Sequence, residues 1–131
     1  MPNPEERRTI SFYSTVAANS EKVLVSRRVP YKFRTIRFIA NFALNTNRTL
    51  LIYFYLSPDK SVPTSKPTTG IDLLSLIGYT SYLVGDDERK EIDHTVEADV
   101  GGMYLKVYAN NTDSFEHTID AQIIIEPFER G

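Results

Sequence analysis

The residues able to do chemistry are few. His94 and His117 are the two imidazoles of the chain. Both fall on the apolar parity of alternating stretches, His94 among Ile92, Val96, Ala98 and Val100, and His117 among Phe115, Ile119, Ala121 and Ile123. A metal ion would need further ligands on the same face, and the neighbours there are aliphatic. The spacing therefore supports hydrogen-bonded histidines inside a sheet or at its end, with no metal and no other cofactor. Asp86-Asp87-Glu88 gathers hard oxygen donors suited to calcium, but Arg89 and Lys90 offset them and the spacing is not that of an EF-hand. A solvated hairpin tip is the preferred reading. Glu97, Asp99, Glu116, Asp120 and Glu126 fall on polar parities. If their strands were adjacent, opposed carboxylates could serve glycoside hydrolysis. The polar outer face of half-buried strands is the plainer account. None of Ser57, Ser61, Ser65, Ser75 and Ser81 has the strand–turn–helix setting of an activated nucleophile, and no glycine loop for phosphate is present. No catalytic residue is assigned, and the chain is expected not to be an enzyme.

The chain's eight tyrosines are more suggestive. Tyr53, Tyr55, Tyr104 and Tyr108 fall on outward or mixed faces. A flat apolar ring with a polar tip suits a subunit interface or the stacking of a sugar, and it also suits plain cross-strand pairing. Pro63 and Pro67, with Pro58, stiffen the segment from Ser57 to Gly70. A pre-ordered loop loses less entropy when it docks. The candidate binding residues are therefore Tyr53, Tyr55, Tyr104, Tyr108, Pro63 and Pro67.

These side chains must be held by strands. The longest ribbon runs from Phe115 to Glu126. Phe115, His117, Ile119, Ala121, Ile123 and Ile125 share one parity, and the other parity is polar except for Ile124. Successive side chains of a strand point to opposite faces, so this ribbon has a dry side that needs a second apolar layer. Thr9–Val16, Val23–Arg28, Tyr31–Leu44, Thr49–Leu56, Tyr79–Val84, Lys90–Val100 and Met103–Ala109 read as further strands. Within Tyr31–Leu44, Ile36, Phe38, Ala40 and Phe42 alternate, and Ile39 breaks the pattern, which marks either double-sided burial or a bulge. Leu50, Ile52, Phe54 and Leu56 form a dry face opposite Leu51, Tyr53 and Tyr55, so that strand either lies centrally or meets a partner. Ile71–Ile77 suits one or two helical turns ended by Gly78, with a strand as the alternative. The whole reads as all-β: an eight-stranded antiparallel two-sheet sandwich, with jelly-roll topology preferred over immunoglobulin-like.

At 131 residues the chain is one domain, residues 9–131, preceded by an extended arm at 1–8 that contains Pro2 and Pro4. The absence of cysteine removes disulfides and thiolate chemistry. Fifteen basic residues against 17 acidic ones give a net charge of -2, which does not point to nucleic acid. Arg27, Arg28, Lys32, Arg34 and Arg37 form a local basic excess, read as a solvated strand face rather than a phosphate site. MPNPEERR lacks the apolar core of a signal peptide, and Leu50–Leu56, the longest apolar run, is too short to span a membrane.

Val16 to Asn41, VAANSEKVLVSRRVPYKFRTIRFIAN, resembles a pattern of small β-sandwich proteins of virus and phage particles. A polar turn leads to a strand, then to a Val-Pro step, then to the strand that opens the second sheet. The closing GGMYLKVYANNTDSFEHTIDAQIIIE is similar to the last hairpin of such jelly rolls. The resemblance implies a non-enzymatic decoration, spike or minor capsid protein located in the virion. Its partners would be further copies of itself, by analogy in a trimer, and other particle proteins. A carbohydrate-binding module using exposed tyrosines is the alternative, with a glycan as partner.

Overall fold

A computed structural model of the chain describes residues 7–60, 70–76, 82–98 and 100–127. Pro63, Pro67, Gly78, Tyr79 and the arm before Arg7 lie outside these residues. The described elements are β1 (Arg8–Val16), β2 (Glu21–Val25), β3 (Phe33–Phe42), β4 (Leu50–Ser57), β5 (Ile71–Asp72), the one-turn helix α1 (Leu73–Leu76), β6 (Glu88–Asp93), β7 (Glu97–Ala98), β8 (Tyr104–Asn111) and β9 (His117–Pro127).

The strands form two antiparallel sheets. One has the order β1-β9-β3-β6, with β7 also on β3, and the other has the order β2-β8-β4-β5. The pairings β1·β9, β2·β8, β3·β6 and β4·β5 are nested in sequence like a long hairpin rolled up on itself. That nesting is the jelly-roll topology expected from the sequence. Nine strands are described against eight expected, because Lys90–Val100 is divided into β6 and β7 and the two-residue β5 pairs with β4.

The core follows the alternation. Leu50, Ile52, Phe54 and Leu56 of β4 pack with Leu105, Val107 and Ala109 of β8 against Ile119, Ala121, Ile123 and Ile125 of β9. Phe38 and Phe54, one from each sheet, meet with ring centroids 5.3 Å apart. Apolar side chains fill the space between the layers because each sheet presents one dry face.

The alternation fails where strands stop or bulge. The register between β3 and β9 shifts between Thr35 and Arg37. The bulge therefore sits at Ile36 and not at Ile39, and Phe33 and Thr35 face inward before it while Phe38, Ala40 and Phe42 do so after it. Ile39 is buried on the opposite face. Across from the bulge the expected Lys90–Val100 strand is interrupted at 94–96. Buried Thr35 mends the gap: its Oγ1 donates to the His94 carbonyl at 3.1 Å and accepts from the Val96 amide at 2.8 Å. His94 consequently lies in solvent rather than inside, and Val100 is exposed as well. Phe115 is also corrected: β9 begins only at His117, and the Phe115 ring is 70% exposed. Residues 71–76 hold a two-residue strand followed by one helical turn. In the expected strand Tyr79–Val84, the described part is reduced to a bridge between Leu83 and Ile52.

Candidate functional site

The tyrosines come together on the outer face of the β2-β8-β4-β5 sheet. Tyr53 stands directly across from Tyr108, with ring centroids 5.0 Å apart, and Tyr82 approaches Tyr53 at 5.5 Å. The rings are tilted by about 50° in both pairs, so they are not coplanar. Tyr55 and Tyr108 are 5% and 3% exposed and pack with Val23 and Tyr53 into a second, smaller apolar cluster outside the sheet. Parity placed these rings on the outer face, and tertiary packing then covered two of them. Tyr104 lies at the strand end opposite Ser57 and is half-buried. The Tyr108 hydroxyl donates to the Glu21 carboxylate. Burial pushes the Tyr55 hydroxyl up to about 12, with Asp72 and Tyr53 adding to the shift. Tyr108 is raised further, by burial first and by Glu21 second. These phenols stay neutral in ordinary buffers, and their chemistry is that of packing and hydrogen bonding.

Of the carboxylates considered for glycoside hydrolysis, Glu97 and Glu126 are separated by β3, and Asp99 lies outside the described residues. β7 and β9 both border β3, and Arg34 of β3 stands in register with Glu97 on one side and Glu126 on the other. Arg7 also reaches Glu126, at 3.6 Å. A cation therefore stands in the row between these two carboxylates. At the Asp86–Glu88 turn, Glu88 folds back to accept the Asp86 amide and lies 3.4 Å from Lys90. Among the described residues, no three His, Asp or Glu side chains group as metal ligands.

One end of the sandwich is built by the loops at 17–20, 43–49, 82–87 and 112–116. They are tied together by backbone bonds, Asn19 to Asp113, Arg48 to Gly85, Asp87 to Ala43 and Thr112 to Thr49. Asn45, Asn47 and Arg48 adopt positive φ, which turns the 43–49 loop sharply. Asn111 is 1% exposed and anchors the end: its Nδ2 donates to the carbonyls of Val16, Ala17 and Phe115. His117 is the satisfied sheet-end histidine expected from its neighbours, with Nε2 2.8 Å from Asp113 Oδ2. That bond, followed by the Ser114 amide, holds the Asp113 carboxyl below the usual carboxylate range. Leu44 and Phe115, 66% and 70% exposed, border a recess of about 530 Å³ here together with Asp113 and His117. Sequence reading missed this pair. Leu44 looked like the end of a strand, and Phe115 continued an inward parity.

A second opening lies on the side where β1 and β2 are the unpaired edges of their sheets. It is a cleft of about 830 Å³ bordered by Arg8, Arg27 and Arg28. The sequence flagged Arg27 and Arg28 only as part of a solvated basic stretch.

No family model matches the chain, and no curated protein matches its sequence. Among solved structures, the chain is similar to one in the cryo-EM structure of broad bean stain virus, at 8% identity and a TM-score of 0.47, covering 99% of this chain and 90% of that one. It is similar to one in the naturally occurring empty particles of cowpea mosaic virus, at 8% identity and a TM-score of 0.48, covering 98% of this chain and 92% of that one. It is also similar to one in the pilus-forming endospore appendages of Bacillus, at 8% identity and a TM-score of 0.42, covering 98% of this chain and 96% of that one. The jelly-roll topology rests on the hydrogen-bonded strand order itself, independently of these likenesses.

Proposed function

We propose that the chain is a non-enzymatic structural protein of a virus or phage particle that works by self-association and by docking on other particle proteins. The observation that carries this reading is the pair Leu44 and Phe115. Two large apolar side chains stand out from a loop end held by hydrogen bonds on every side. An apolar side chain held rigidly in water gains on docking roughly 25 cal/mol per Å² covered, with little ordering cost to offset it. The particle setting rests on the resemblance in Val16–Asn41 and in the closing hairpin, together with the jelly-roll topology. Tyr53 and Tyr104, half-buried on the outer sheet face, and the loop carrying Pro63 and Pro67 are proposed as further docking surface. Tyr55 and Tyr108 act beneath them as support. A closed cyclic homo-oligomer is the proposed assembly, with a trimer the first form to test.

The carbohydrate-binding reading needs exposed, coplanar rings. The tilt of the Tyr53, Tyr82 and Tyr108 rings and the cover over Tyr108 favour the protein interface.

Light scattering after size exclusion tests the proposal. The expected result is a discrete oligomer that Leu44→Ser with Phe115→Ser converts to monomer without loss of the β-sheet circular dichroism signal. A monomer at all concentrations that also fails to join particles, or an oligomer indifferent to both changes, would overturn it. Retention on a glycan matrix that is lost with Tyr53→Ala would bring forward the carbohydrate reading.

A further inference from the structure

β1 and β2 leave the turn at 17–20 as the free edges of opposite sheets and diverge. Near the turn the gap is closed by Lys22 of β2, whose Nζ donates to Ser14 Oγ at 2.8 Å and to the Thr15 carbonyl at 3.2 Å of β1. Further along, the 830 Å³ cleft opens between Arg8–Ser11 and Val25–Tyr31. Its volume is that of a pocket for a small ligand. Ile10, Val25 and Tyr31 supply partly exposed apolar lining, and Val29 and Ile125 lie buried beneath it.

The rim is basic. Arg7, Arg37, Arg89, Lys90 and Lys106 each lie within 4 Å of a carboxylate. Arg27 and Arg28, adjacent and exposed on the cleft, have no carboxylate partner among the described residues. Arg28 rests against a glycine turn. Its guanidinium lies over Gly102, where a Cβ would come within 2.8 Å of Nη2 and 3.3 Å of Cζ. Gly102 has φ +89°, and its amide donates to the Val29 carbonyl at 2.7 Å. The adjoining Gly101 passes so close to the Pro30 carbonyl that a Cβ there would come within 2.5 Å of it. The Arg28 guanidinium thus lies against the Gly102 backbone beside the cleft. A guanidinium fork binds the oxygens of a phosphate, sulfate or carboxylate in pairs, and a lysine does not.

We propose that this cleft binds a small anionic amphiphile. Its oxyanion head is held by Arg27 and Arg28, and its apolar body lies on Ile10, Val25 and Tyr31. The proposal stands apart from the docking role of the loop end, which is on other loops.

Isothermal titration of the full chain tests it, with octyl phosphate below its micelle concentration, inorganic phosphate and octanol as probes. Octyl phosphate is expected to bind at least tenfold more tightly than either inorganic phosphate or octanol. Arg27→Ala with Arg28→Ala is expected to weaken octyl phosphate at least tenfold. Arg28→Lys, which keeps the charge and loses the fork, is expected to weaken it severalfold. Ile10→Thr should weaken octyl phosphate and leave inorganic phosphate unchanged. Both arginines are exposed, so these variants should keep the wild-type circular dichroism. Octyl phosphate binding that matches inorganic phosphate, or that survives the double arginine change, would overturn the proposal. So would uptake by phosphatidic acid vesicles without any binding of free octyl phosphate, which would identify a bilayer surface as the true ligand.

Discussion

The ammonium of Lys106 lies 2.8 Å from Asp59 Oδ1, and the lysine side chain is fully buried although it points to the outer face of its sheet. A buried cation there, in register with Tyr55, marks this part of the outer sheet face as covered, while Tyr53 and Tyr104 stay half-exposed. Removing the partner of a buried charge is more damaging than removing the charge itself. Asp59 is 43% exposed, which lessens the effect. Asp59→Asn is expected to cost about 1–2 kcal/mol in urea unfolding. Lys106→Met should cost less than Asp59→Asn, and a reversed order would refute this account of the pair.

Asn111 closes three carbonyls at the loop end and accepts the Asp113 amide at 3.0 Å. Asn111→Ala leaves buried acceptors unpaired and is expected to cost about 1–3 kcal/mol. Asn111→Asp puts a carboxylate against the same carbonyls and should be at least as destabilising at neutral pH. Denaturant midpoints of the two variants check the order.

Thr35 substitutes for missing ladder bonds at the bulge. Thr35→Val keeps the volume and removes both bonds, for an expected loss of about 1–2 kcal/mol. Thr35→Ser should retain most of the stability. Faster amide exchange at Val96 in Thr35→Val would locate the effect at the break between β6 and β7.

Stability should fall at both pH extremes. The Tyr55 hydroxyl, raised from the ordinary value to about 12, stabilises the fold fully below about pH 10. That contribution drains away as the pH rises from there toward 12, and thermal unfolding between pH 9 and 12 should show a smaller alkaline loss in Tyr55→Phe. Asp113 is lowered from 3.8, so its contribution is present above that value and is lost as the pH falls through its folded value. Asp113→Asn should flatten the acid limb, and an unchanged limb would show that the His117 bond does not contribute.

The longest regular strands were legible from alternation. In β4, β8 and β9 the inward residues read from parity, such as Ile52, Val107 and Ile123, are the buried ones. His94 and Phe115 show the limit of that reading. Parity continues on paper past the point where hydrogen bonding stops, and a residue beyond that point takes its direction from the loop. The tyrosines show another limit: period-two spacing assigns Tyr55 and Tyr108 to a face but does not say what lies over it.

The sequence by itself determined that this is an all-β chain with two dry faces to be joined, because a strand's dry side needs an apolar cover and the alternation states where the dry sides are. Only the tertiary structure decided which strands neighbour one another, and with that which side chains meet. Arg34 comes to lie between Glu97 and Glu126, Leu44 beside Phe115, and Arg28 over Gly102. These partners are distant in the chain, and their meeting depends on nested antiparallel pairing, a long-range property that no local spacing encodes.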